Sequence, residues 1–157
     1  MGKRLLATCV MTLALPIFMH PAVAQAAPAK ERLSAELTGA AEVPGPGDRS
    51  GRGTVQLRFD PDKGEVCYDL SVANMQDIQE ATAAHIHEGA VGTEGPAKVT
   101  LEAPKTGSVQ GCKSANAALI RAIMQNPTNY YVNVHTVAFP KGAIRGQLAV
   151  VGTEEAR

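Results

Sequence analysis

Thr54-Val-Gln-Leu-Arg-Phe59, Asp60-Pro-Asp-Lys-Gly64 and Glu65-Val-Cys-Tyr-Asp-Leu-Ser-Val72 follow one another without a break. The first and third runs alternate apolar with polar residues, and the middle one is rich in turn formers. Period-two alternation belongs to a β-strand, because successive side chains leave opposite faces of the backbone. Val55, Leu57 and Phe59 therefore share one face, and Val66, Tyr68, Leu70 and Val72 share one face of the next strand. Pro61 and Asp62 favour the reversal, and Gly64 is free to take a positive φ. The segment predicts a β-hairpin with one face turned to a core.

The same pattern recurs on both sides. Leu33 to Leu37 alternates, and the Gly- and Pro-rich residues Ala40 to Gly53 read as a long loop. Ala83 to His87 reads as a short strand ending at Glu88-Gly89. A Gly-rich loop from Gly89 to Pro96 leads into a strand over Ala97 to Leu101. Ser114 to Gln125 is the one helical stretch. Ser114 is placed to cap it, Leu119, Ile120, Ile123 and Met124 form its apolar stripe, and Asn126-Pro127 stops it. A last hairpin runs from Tyr130 to Thr136, turns at Pro140-Lys-Gly142, and returns over Ile144 to Val150, with Ile144, Gly146, Leu148 and Val150 on one face. Seven or eight short strands and one short helix make an all-β domain, a β-sandwich or Greek-key barrel.

The chain has 157 residues, about one domain's length, and no internal repeat is visible. A hydrophobic share of 45% excludes wholesale disorder, and 15 glycines with 10 prolines favour turns over a helical bundle. The formal net charge of zero offers no electrostatic attraction for nucleic acid. Walker, GxGxxG and G-x-S-x-G patterns are absent, which removes the usual nucleotide-binding and hydrolase signatures.

Residues 1–26 have the layout of a secretory signal peptide. Lys3 and Arg4 precede an apolar stretch from Leu5 to Phe18, and small-x-small sites follow at Ala22-Val-Ala24 and Ala24-Gln-Ala26. The apolar run is shorter than the roughly 20 residues of a membrane span, and Thr8 before Cys9 argues against a lipid anchor. The expectation is an exported protein, periplasmic or secreted, with no membrane anchor after cleavage. Cleavage after Ala26 removes Lys3 and Arg4 and no acid, leaving 13 basic against 15 acidic residues. It also removes Cys9 and His20, so two cysteines and three histidines remain. In an oxidising compartment, Cys67 and Cys112 are expected to form a disulfide. Closing a 46-residue ring contributes up to roughly 4 kcal/mol by loop entropy. The pair lacks the C-x-x-C spacing of a redox centre.

His85-Ile-His87 places two imidazoles at i and i+2, on the same side of one strand. Ala84 and Ile86 then face the core. In Tyr131-Val-Asn-Val-His135, Val132 and Val134 point inward, so Asn133 and His135 face outward. One of Tyr130 and Tyr131 is expected in the core and the other at the surface. Alternation thus sets all three histidines on the outer face, where two imidazoles of one strand and a third of another can chelate copper or zinc.

Four motifs add a resemblance. Ala84-His-Ile-His-Glu-Gly89, Gly92-Thr-Glu-Gly-Pro96, Tyr130-Tyr-Val-Asn-Val-His-Thr136 and Phe139-Pro-Lys-Gly-Ala-Ile-Arg-Gly-Gln-Leu148 resemble the CHRD domain, named after chordin and found in many small exported bacterial proteins. The resemblance spans about residues 33–151. It implies an immunoglobulin-like or Greek-key sandwich and a binding or scaffold role. The leading expectation is a non-enzymatic exported binding module, with a metal ion, an extracellular protein or an extracellular polymer as partner.

A fainter likeness leads to a different function. His85-Ile-His-Glu88 is similar to the His-Val-His-Glu strand of copper-zinc superoxide dismutases. Val134-His135 resembles their later copper-ligand strand, and Gly142-Ala-Ile-Arg-Gly-Gln-Leu148 their final Gly-x-x-Arg strand. That likeness implies a copper-dependent redox enzyme with His85, His87 and His135 as ligands and Arg145 as guide for an anion. A fourth histidine to bridge to zinc is missing after cleavage, as is a zinc-loop cluster. Glu88 reads either as a carboxylate supporting a ligating histidine or as an exposed strand end. Asn133 reads either as a cross-sheet hydrogen-bond partner or as a group orienting an imidazole. Arg145 reads either as the anion guide or as partner to a neighbouring carboxylate.

Overall fold

The computed structural model describes residues 30–76 and 81–154. The signal peptide expected over residues 1–26 lies outside the described residues. Nine strands are present among the described residues: β1 (Lys30–Thr38), β2 (Arg52–Asp60), β3 (Glu65–Ala73), β4 (Ala81–Glu88), β5 (Ala97–Leu101), β6 (Ser108–Ser114), β7 (Tyr130–Thr136), β8 (Ile144–Gln147) and β9 (Ala149–Glu154). One helix, α1 (Ala117–Gln125), joins them. No helix among the described residues is long and apolar enough to cross a membrane.

The strands form a single antiparallel sheet in the order β5-β4-β7-β8-β1-β2-β3-β6, with β9 also on β1. The sheet curls until its two ends meet, which makes a nearly closed barrel or sandwich, as expected. Lys113 of β6 bridges to Glu102 beyond β5 at 3.1 Å, and the Glu102 N–H donates to the Tyr68 hydroxyl at 3.1 Å. The hairpin is as read. Val55 pairs with Leu70, Leu57 with Tyr68 and Phe59 with Val66, and Gly64 takes φ 63° in the link. Their shared face forms the core with Leu33, Leu37, Ile86, Val132, Val134 and Ile144, all fully buried. Helix α1 adds Ile120 and Ile123 to that core, with Leu119 and Met124 partly buried beside them.

Two of the expected elements need correction. Ser114 does not cap the helix. It closes β6, and the Asn116 side chain caps α1 by accepting from the Ala118 N–H at 2.8 Å. Strand β6 itself escapes alternation, because Val109 is its one aliphatic side chain. Pairing with β3 makes it a strand and sets Cys112 directly opposite Cys67, to which it is disulfide-bonded. The final strand is two strands. Leu148 leaves the ladder and its N–H donates to the Tyr130 carbonyl at 3.0 Å, so the face expected to carry Val150 is broken and Val150 is 52% exposed. The segment Ala40 to Gly53 is the expected loop as far as Gly51, and Arg52 and Gly53 open β2. Asp48 is buried there, and its carboxylate accepts from the N–H groups of Ser50, Gly51 and Gln76 and from the Ser50 hydroxyl.

Candidate metal centre

Strands β4 and β7 are neighbours, and their register explains how the histidines meet. Ala83 lies opposite His135, His85 opposite Asn133 and His87 opposite Tyr131. All six are on the face away from the core, since Ala84 pairs with Val134 and Ile86 with Val132 on the other. His85 is thus a diagonal neighbour of His135, and His87 is two residues along the same strand, within reach of one another across a pleated sheet. Each histidine offers one ring nitrogen, and these three atoms lie within 4.8 Å of one another. The His85 ring meets those of His87 and His135 edge-on, with centroids 5.4 and 5.2 Å apart.

The ring nitrogens divide by role. His87 Nδ1 donates to the Gly95 carbonyl at 2.8 Å, and His135 Nδ1 donates to the Pro140 carbonyl at 3.1 Å. A carbonyl only accepts, so in each neutral ring the proton sits on Nδ1 and the lone pair on Nε2. His87 Nε2, His135 Nε2 and His85 Nδ1 are all buried without a hydrogen-bond partner. Burial, and next the charge of His135 and His87, lowers the pKa of His85. Burial also lowers that of His135, against the raising effect of its bond to Pro140 and with the help of His87. Lowered values keep these rings neutral, the form that binds metal. Three buried, unpartnered ring nitrogens, two of them held as lone-pair bearers, fit a cation. One ion bound at about 2.0–2.1 Å to each nitrogen would draw the set in to mutual separations of about 3.4 Å.

The outer face is not open as alternation implies. Tyr130 and Tyr131 are both buried, at 5% and 4% exposure, so the expectation of one surface tyrosine is wrong. Asn133 is 3% exposed and Arg145 2%. The cause is the Gly-rich loop 89–96, which folds back over β7 and β8. Arg145 donates from Nη1 to the Thr93 carbonyl at 2.7 Å and from Nη2 to the Ala90 carbonyl at 3.1 Å. Gln147 Nε2 donates to the Gly89 carbonyl at 2.7 Å, and the Gly95 N–H donates to the Tyr131 hydroxyl at 3.3 Å. Gly95 is required for this approach, since a Cβ there would collide with the Glu88 carbonyl. Under the loop the Tyr131 ring stacks on His87, 4.8 Å between centroids and 11° from parallel, and the Arg145 guanidinium lies 3.4 Å from the centroid of the Tyr131 ring.

The residues named from sequence are therefore distributed as follows. His85, His87 and His135 come together. Asn133 lies among them, and Arg145 faces Asn133 across β8 but is directed to the loop. Glu88 is outside the group and pairs with Lys98 at 2.8 Å in solvent. Cys67 and Cys112 lie near Glu65, but as a disulfide they offer no thiolate. Sequence reasoning missed Tyr131 as the platform under His87. Its i, i+2, i+4 spacing with Asn133 and His135 was the available signal.

Residues 33–148 match the family model of the CHRD domain. The chain belongs to the CHRD domain family. No curated protein and no solved structure matches it. Within this CHRD domain, the four motifs that carried the resemblance have physical tasks. The His-x-His and Asn-Val-His runs supply the histidine cluster, the Gly-rich run covers it, and the Ala-Ile-Arg-Gly-Gln run holds the cover down. Membership supports a non-enzymatic binding module in general.

Proposed function

We propose that this CHRD domain is an exported metal-binding protein that holds one copper(II) or zinc ion on His85, His87 and His135. The observation that carries this reading is the convergence of three buried, unpartnered ring nitrogens, two of them fixed as lone-pair bearers by backbone carbonyls. Carbonyl partners of this kind orient ligating imidazoles and raise their basicity. An all-imidazole set suits copper(II) and zinc, and the Irving–Williams order puts copper above zinc at equal geometry. Export is supported by the Lys3-Arg4 start with its apolar run, and by a disulfide suited to an oxidising compartment. CHRD domains are extracellular. The alternative of a dismutase-type redox enzyme draws no comparable support, because the guanidinium that would guide an anion is engaged by Thr93, Ala90 and Tyr131.

Titration of tag-free protein with copper(II) and with zinc, at neutral pH under competition from a chelator, tests the reading. Sub-millimolar binding of at least one metal is expected, with His87→Ala losing most of the affinity and Glu88→Gln little. Equal binding by the triple variant His85→Ala/His87→Ala/His135→Ala would show that the site does not exist.

A further inference from the structure

The strongest feature not absorbed by this reading is the amide of Asn133. The β4–β7 register sets it opposite His85, two residues before His135 on its own strand and diagonal to His87, so its position adjoins those of all three histidines. It is 3% exposed, and its Oδ1 is buried with no hydrogen-bond partner. Native proteins rarely leave a buried acceptor unpaired. Arg145, the cation opposite Asn133 on β8, makes no hydrogen bond to it and is directed to the loop instead, where it donates to Thr93 and Ala90. The three unpartnered ring nitrogens do not serve it either, because in the lone-pair form an ion requires they are acceptors themselves.

Resting on the metal reading above, we propose that Asn133 Oδ1 faces the open fourth position of the ion and selects ligands that carry a proton. Three imidazoles leave at least one position open on zinc or on copper(II). Whatever fills that position meets an acceptor. Water, hydrogen peroxide or a primary amine can donate to Oδ1 while bonding the ion through a lone pair. Azide, cyanate and fluoride carry no proton and leave the acceptor unpaired. The site therefore discriminates by hydrogen-bond polarity rather than by charge alone, as sites with a buried polar group do.

Azide titration of the copper-loaded protein, followed by the azide-to-copper charge-transfer band, tests this. Copper affinity is measured first on each sample. Asn133→Ala and the near-isosteric Asn133→Leu are expected to bind azide about ten-fold more tightly than wild type, because the unpaired acceptor is gone. Unchanged or weaker azide binding, with copper still held, would overturn this inference alone; weaker binding would mean that the amide nitrogen faces the ion. Pulsed electron paramagnetic resonance of the copper-loaded wild type in D2O needs no variant. Strongly coupled exchangeable deuterons of a water on the ion are expected, and their absence overturns the proposal even if both variants misfold. Failure of wild type to take up copper or zinc overturns the metal reading itself, and this inference with it.

Discussion

The β2–β3 hairpin and strand β7 have the same kind of sequence and a different kind of surroundings. In β2, Val55, Leu57 and Phe59 are fully buried while Thr54, Gln56 and Arg58 are exposed. In β7 every residue is buried except His135, which is half-buried. Both strands place their apolar set on the core as alternation requires. The difference lies on the outer face, which meets solvent in the hairpin and lies under loop 89–96 in β7. Alternation tells which face is inner, but not whether the outer face is covered. Where polar side chains lie on a covered face they must find partners, and those still without one mark a place for a ligand.

The largest contrast tests the faces themselves. Val134→Asp puts an unpaired charge into the core and is expected to destabilise by more than about 4 kcal/mol, enough to unfold the domain. Gln56→Ala on the exposed face of β2 is expected within about 0.5 kcal/mol of wild type. Asn133→Ser falls between them at about 1 kcal/mol, more than its outward position alone implies, because the face is covered. Urea denaturation reads all three, and equal midpoints for Val134→Asp and Gln56→Ala would undo the assignment of faces.

The cover is the next target. Arg145 makes two hydrogen bonds to loop carbonyls and lies over the Tyr131 ring, so Arg145→Ala is expected to cost about 2–3 kcal/mol. Arg58→Ala, in solvent on β2, is expected to cost no more than about 0.5 kcal/mol. Amide exchange sharpens the comparison. The Thr93 and Gly95 N–H groups should exchange faster in Arg145→Ala, while those of the hairpin keep their protection. Uniform loss of protection would mean that Arg145 supports the barrel and not the loop.

The two regions also show what a sequence can display. The hairpin was legible because short-range alternation, a turn and a glycine at positive φ are all local. Histidines 85, 87 and 135 were legible because alternation alone sets them on one face. The carbonyls of Gly95 and Pro140, which fix two of the rings, were not, since a backbone acceptor has no side-chain signature. Strand β6 was hidden for a related reason. Its residues are half-buried or exposed, so it owes its form to β3 and the disulfide rather than to its own pattern. The buried acids Glu42 and Asp48 were hidden in a segment whose glycines and prolines read simply as loop.

Glu42 sets a covered acid against an exposed one. Its side chain is 6% exposed, and it lies so close to the Pro140–Gly142 turn that a Cβ on Gly142 would collide with the carboxylate. Oε1 has no partner there. Burial pushes its pKa from the ordinary 4.5 up to about 7, against the lowering pull of Arg145 and of a backbone hydrogen bond at Val43. Between those two values the folded protein holds a proton that the unfolded chain has released. The stability this provides is complete below about pH 4.5 and is lost as pH rises through about 7. His85 and His135 act in the opposite direction: their pKa values are lowered on folding, so their contribution is present above pH 6.5 and fades as pH falls below it. The wild-type profile sums both trends, and Glu42→Gln isolates one of them. Its melting temperature relative to wild type should be nearly unchanged at pH 4.5 and clearly higher at pH 8. Glu36→Gln, which removes one charge from the exposed side of β1, should show no such rise. Thermal melts of the three proteins across that range decide the matter, and a Glu42→Gln difference that stays flat with pH would mean that this carboxyl does not take up a proton on folding.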